Sequence, residues 1–176
     1  MKTQATIIAL AAMSVSSIAQ ADIADPGIYA PFDNAEVKIT WLGSEAGYTG
    51  NLNWMDPNIA NVSSTLWNNK TAVVDQSATL NVVMSQGQRI DFVYDVVIGG
   101  IDTFSTANES DWEQFQVTAI DASNFIVAVE DIRLPGGDAD FDDAVFGVSF
   151  TRTIPAPGSL ALLGLGGALV TRRRRD

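Results

Sequence analysis

Six carboxylates crowd one short stretch, Glu130–Phe146, which reads E-D-I-R-L-P-G-G-D-A-D-F-D-D-A-V-F. Asp138, Asp140 and Asp142 recur at two-residue spacing, Asp143 is adjacent, and Glu130 and Asp131 stand at the start. Like charges this close repel one another, and a bound cation removes the penalty. Hard oxygen ligands on a glycine-rich loop suit Ca²⁺, which takes about 6–8 oxygens at about 2.3–2.6 Å. Asp138, Asp140 and Asp142 head the ligand set, followed by Asp131, Glu130 and Asp143. The loop is not an EF-hand, because Asp143 occupies the place of the turn glycine and Ser149 that of the bidentate glutamate. The alternative is a solvated acidic turn whose charges discourage edge-to-edge strand pairing.

Two other constellations invite chemistry. Glu109, Asp111 and Glu113 surround Trp112, and a glycosidase needs two carboxylates opposed across a sugar cleft. Trp67 and Trp112 sit in polar settings and are the candidate sugar platforms. Trp41 and Tyr94 instead fall in phase with aliphatic residues and read as packing. The chain has no cysteine and no histidine, which excludes Ser-His-Asp and cysteine nucleophiles and the usual zinc sites. A non-catalytic protein is the expectation.

The segments that position these residues alternate with period two, as half-buried strands do. Glu36–Leu42 places Val37, Ile39 and Trp41 on one face, and Ile90–Ile98 does the same with Ile90, Phe92, Tyr94, Val96 and Ile98. Tyr48–Met55, Thr79–Met84, Trp112–Ile120, Asn124–Ile132 and Ala144–Thr151 complete the expected set. Thr65–Trp67 is too short to assign, and Ser105–Asp111 reads as a polar loop. Short strands with turn signals about every ten residues predict an all-β fold, an antiparallel β-sandwich of jelly-roll-like form.

The ends read differently. Residues 1–21 carry Lys2, an apolar stretch and Ala19-Gln20-Ala21, the pattern of a secretory signal peptide cut before Asp22. Residues 154–176 carry Pro155-Ala156-Pro157, an apolar run from Leu160 to Val170, then Arg172, Arg173, Arg174 and Arg175. Pro155 to Thr171 is at the lower limit of about 17 residues for a membrane span, and the arginines would hold its end on the cytoplasmic side. Residues 22–153 are left as the folded domain. Five of the ten basic residues and one of the 21 acidic ones lie in the two end segments, so the domain holds 20 acidic against 5 basic side chains, a net charge of −15. Such a surface repels nucleic acid and favours divalent cations.

The order of proline motif, apolar run and arginine cluster resembles the PEP-CTERM sorting signal, with Ala156 in the place of that signal's usual glutamate. The resemblance implies export by the Sec machinery, transient anchoring in the inner membrane, and processing by an exosortase into the cell envelope or the extracellular space. The acidic stretch is similar to the C-terminal signature of an uncharacterised family of exported bacterial domains, and Gly43–Leu52 (G-S-E-A-G-Y-T-G-N-L) looks like that family's early segment. That resemblance implies a β-sandwich at the cell surface, with calcium as a candidate cofactor and no catalytic residue to carry over. The expected role is structural or adhesive, the first alternative a module binding extracellular polysaccharide, the second an acidic-residue hydrolase. Intact mass of the exported protein tests the sorting expectation: both terminal segments should be missing, and a retained C-terminus argues against it.

Overall fold

The computed structural model describes residues 24–59 and 63–153, so the sequence readings at 1–21 and 154–176 lie outside the described residues. Ten strands follow in chain order: β1 (Ile28–Tyr29), β2 (Ala35–Gly43), β3 (Thr49–Met55), β4 (Ser63–Asn68), β5 (Ser77–Met84), β6 (Arg89–Ile98), β7 (Asp102–Ser105), β8 (Phe115–Ala119), β9 (Asn124–Val129) and β10 (Ala144–Arg152). They build two five-stranded sheets, every pair antiparallel. One runs β1-β6-β3-β4 with β7 also against β6, and the other runs β5-β2-β10-β9-β8.

Alternation decides which residues meet between the sheets. Ala35, Val37, Ile39 and Trp41 of β2, Ile90, Phe92, Tyr94 and Val96 of β6, and Ala144, Phe146, Val148 and Phe150 of β10 are all buried. The register of β10 on β2 is unbroken from Phe146 opposite Trp41 to Arg152 opposite Ala35, and shifts only at the Val145–Gly43 end. Aromatic pairs cross from sheet to sheet: Phe92 meets Phe146 edge-on at 4.9 Å, and Trp41 meets Trp67 at 6.1 Å. Such edge-to-face pairs contribute about 0.5–1.5 kcal/mol beyond the area they bury.

Three sequence readings need amendment. Thr65–Trp67, too short to assign, lies within β4, and Ser105, read as the start of a polar loop, ends the strand Asp102–Ser105. Both are short and rich in Ser and Thr, and their pairing with β3 and β6 comes from the neighbouring strand. Trp112–Ile120 is not one strand. Glu109–Gln114 forms a 3₁₀ helix, capped by Asn108, whose side chain accepts from the Ser110 N–H, and extended backbone begins only at Phe115. No helix of the described residues is long and apolar enough to cross a membrane.

A candidate cation site at one end of the sandwich

β9 and β10 pair as far as Val129 and Ala144. Glu130 and Asp131 leave one strand where Asp143 enters the other, so the acidic loop 130–143 is held at its neck by the ladder. The three neck carboxylates are all buried, with Glu130 at 0%, Asp131 at 4% and Asp143 at 7% exposure. The Asp131 N–H donates to Asp143 Oδ2 at 2.7 Å, and the Ile132 N–H reaches Glu130 Oε1 at 3.3 Å.

Gln114, at the end of the 3₁₀ helix, stitches the loop down. Its side-chain amide donates to the carbonyls of Glu130 and Ile132 at 3.1 and 2.9 Å and accepts from the Leu134 N–H at 2.8 Å. The Glu130 N–H in turn donates to the Gln114 carbonyl at 3.0 Å. Sequence alternation places Gln114 on a polar face, whereas it is fully buried.

The segment between β2 and β3 closes the site from the other side. Ser44 Oγ donates to the Asp143 carbonyl at 2.6 Å, and the Glu45 N–H to the Asp142 carbonyl at 2.9 Å. Lys70 Nζ donates to the Ala46 carbonyl, and Asn69 Nδ2 to that of Tyr48 at 3.0 Å. Gly43–Leu52 and the acidic stretch, the two segments that carry the family resemblance, thus meet in space. From the opposite sheet comes the buried hydroxyl of Tyr94. Gly50 lies against it, since a Cβ there would come within 2.4 Å of Tyr94 Oη.

Glu130 Oε2, Asp131 Oδ2 and Tyr94 Oη are the three buried side-chain polar atoms without a hydrogen-bond partner among the described residues. Leaving such groups dry and unpaired costs about 1–3 kcal/mol each, and more when charged. One ligand oxygen from each of Glu130, Asp131 and Asp143 can be chosen so that all lie within 4.8 Å of one another, and the same holds for Glu130, Asp138 and Asp140. Asp142 belongs to neither group. Asp138 and Asp140, first in the sequence-based order, are exposed, and the neck residues placed behind them are the buried ones.

Burial, followed by the charges of Asp131, Glu130 and Asp140, pushes the Asp143 carboxyl up to about 7, against the one backbone N–H that favours its charged form. Burial also raises Glu130, Asp131 and Tyr94, and the Tyr94 hydroxyl further feels the charges of Asp131 and Asp143. For Asp131 the Tyr48 backbone and Lys70 pull the other way. Arg133, close in sequence, does not neutralise the cluster. It bonds Asp102 and Asp111 at 3.1 Å each and stacks over Phe104 at 4.9 Å.

The remaining candidates separate. Asp111 is buried and bound to Arg133, Asn108 and the Ser105 N–H, so the trio around Trp112 has its central carboxylate committed to structure. Trp67 is not a sugar platform: it is 7% exposed and packs edge-on against Trp41. Trp112 is half-buried, its indole N–H donates to the Thr106 carbonyl at 2.9 Å, and it lines an open groove of about 240 Å³ with Asp25, Glu113 and Gln116.

The raised Asp143 carboxyl has a definite consequence for stability. Folded protein keeps a proton there that the unfolded chain releases near pH 4, so without a cation stability falls as pH rises from about 4 to about 7. The loss is on the order of 4 kcal/mol. Asp102, lowered by Arg133, acts with the opposite sign, but below that window. Thermal melting in chelator should therefore show a lower midpoint at pH 8 than at pH 5; a flat or rising midpoint would contradict the buried, unneutralised carboxyl.

Comparison with known proteins adds a family and little else. No curated protein matches. Among solved structures, the Ralstonia solanacearum high-affinity mannose-binding lectin aligns over 74% of this chain and 99% of its own, with 14% identity and a TM-score of 0.43. Neither fold nor ligand transfers at that level of similarity. The family model described as a domain of unknown function, DUF4114, matches residues 60–151. That range holds the whole acidic loop and more than half of the chain, and the protein belongs to this family.

Proposed function

We propose that this protein is a non-catalytic, exported β-sandwich with a structural or adhesive role in the cell envelope or extracellular matrix, and that calcium closes its acidic end. The observation that carries the cation is the meeting of three buried carboxylates, Glu130, Asp131 and Asp143, two of them with an oxygen that bonds nothing. The donor set consists of hard oxygens without nitrogen or sulfur, which favours Ca²⁺ or Mg²⁺ over zinc or copper. The irregular loop and its crowded carboxylates suit calcium, which accepts variable geometry, better than magnesium, which demands an octahedron. Calcium bound here would fasten loops of both sheets and convert repulsion into cross-linking. Export and exosortase sorting rest on the two end segments of the sequence, and the commitment of Asp111 to Arg133 supports a role without catalysis.

Calcium should raise the melting temperature of chelator-treated protein at pH 8. Saturation at a hundred times the dissociation constant corresponds to about 2.7 kcal/mol. Asp143→Asn keeps an acceptor for the Asp131 N–H and removes one buried charge. It should melt higher than the unsubstituted protein in chelator and lose most of the calcium increment. Unchanged melting of the unsubstituted protein at millimolar calcium would remove the cation from the reading.

The groove beside Trp112 favours a second reading, a module for extracellular polysaccharide. Its aromatic wall and flanking Asp25, Glu113 and Gln116 offer the stacking face and hydrogen-bonding rim that a saccharide needs. Trp112→Ala should abolish retardation in polysaccharide-containing native gels while the circular dichroism spectrum is retained. Equal mobility of the unsubstituted protein with and without polysaccharide disposes of this reading.

A further inference from the structure

We infer that the acidic end holds two divalent cations rather than one, with Glu130 shared between them. The inference rests on the cation reading above and adds to it a second, solvent-facing site. Two groups of ligating carboxylates overlap in a single residue: an inner one of Glu130, Asp131 and Asp143, and an outer one of Glu130, Asp138 and Asp140. All members of the inner group are buried, whereas Asp138 and Asp140 are exposed.

Glu130 is suited to bridging. It is wholly buried, its Oε2 has no hydrogen-bond partner, and the contacts it does receive come from the backbone, the Ile132 N–H on Oε1 at 3.3 Å and that of Ala139. An ionised carboxylate offers about four lone-pair positions on two oxygens, so one whole oxygen is left to accept. A buried carboxylate aimed into both groups is what distinguishes this place from an ordinary solvated acidic loop. Gly137 makes the outer group reachable: a Cβ there would come within 2.4 Å of Glu130 Oε1 and 2.9 Å of the Ile132 carbonyl, so the glycine lets the loop fold over that carboxylate and bring Asp138 and Asp140 to it.

Charge counting favours two ions over one. Fully ionised, the five carboxylates of the two groups carry −5. One divalent cation leaves −3 at the end of a domain that is already strongly acidic, and two leave −1. The neighbouring guanidinium cannot substitute, because Arg133 is engaged by Asp102 and Asp111. The two ions would differ in character. The inner ion sits among dry ligands between the sheets and exchanges slowly. The outer ion has two ligands in water, and three carboxylates supply at most six oxygens to an ion that takes about 6–8. Water, or an oxygen ligand from outside the protein, completes its shell.

Native mass spectrometry of the full-length chain, stripped with chelator and titrated with Ca²⁺, reads the stoichiometry directly. Two ions per chain are expected at saturation. The Asp138→Ala, Asp140→Ala double variant changes only exposed side chains and should retain one. Glu130→Gln should retain none, and Glu109→Ala, outside both groups, should retain two. A single ion on the unsubstituted chain, unaffected by the double variant, overturns the shared site while leaving the inner site standing. Binding of no ion at all defeats both readings. Two ions that survive Glu130→Gln, with the variant folded by circular dichroism, show that the sites are not joined through Glu130 and overturn the inference.

Discussion

The acidic end of this sandwich is governed by the difficulty of keeping like charges dry. Glu130, Asp131 and Asp143 are withdrawn from water where two strands separate. A carboxylate in that position is stable only if it takes up a proton, accepts enough hydrogen bonds, or faces a cation. Hydrogen bonds are too few, since two of the carboxylates retain an oxygen that bonds nothing. Protonation offers a partial answer near neutrality, as the elevated Asp143 carboxyl shows. A divalent ion offers the fuller one.

The rest of the molecule holds that arrangement in place. The core interlocks the sheets through Phe92 with Phe146 and Trp41 with Trp67, so the ends of β6, β9 and β10 cannot drift apart to relieve repulsion. Gln114 anchors the loop from below, Ser44 and Glu45 from the side, and Gly137 and Gly50 remove the bulk that would displace Glu130 and Tyr94. Arg133, the positive charge that could have dissolved the problem, is turned outward by Asp102 and Asp111. The electrostatic tension is therefore built into the fold from several directions at once.

The parts of the fold legible in the sequence were those where periodicity and burial coincide. β2, β6 and β10 alternate strictly and were readable because each buries one whole face. β4 and β7 carry weak patterns of their own and exist because β3 and β6 offer them a ladder. The 3₁₀ helix has no hydropathy signal, because Gln114 continues the polar phase of the strand that follows, while the Asn108 cap is a local hydrogen bond that hydropathy does not register. The acidic loop was legible as a concentration of charge, but spacing could not show which carboxylates lose their water. Adjacency to the ladder decides that: it buries Glu130, Asp131 and Asp143 and leaves the more regularly spaced Asp138 and Asp140 in water. The burial of Trp67 is hidden for the same reason, its polar neighbours in sequence giving no hint of Trp41 beneath it. For Gln114 no sequence signal existed.

β2 and β10 lie side by side, and the Thr153 N–H and hydroxyl both bond the Asn34 carbonyl at 2.9 Å where those strands meet. Asp143 precedes the other end of β10, roughly 25–30 Å away at about 3.3 Å per residue. Whatever follows Thr153 thus departs from the pole remote from the carboxylates. A tether attached at that pole would leave the acidic loop at the free end of the domain, a full strand's length from the attachment.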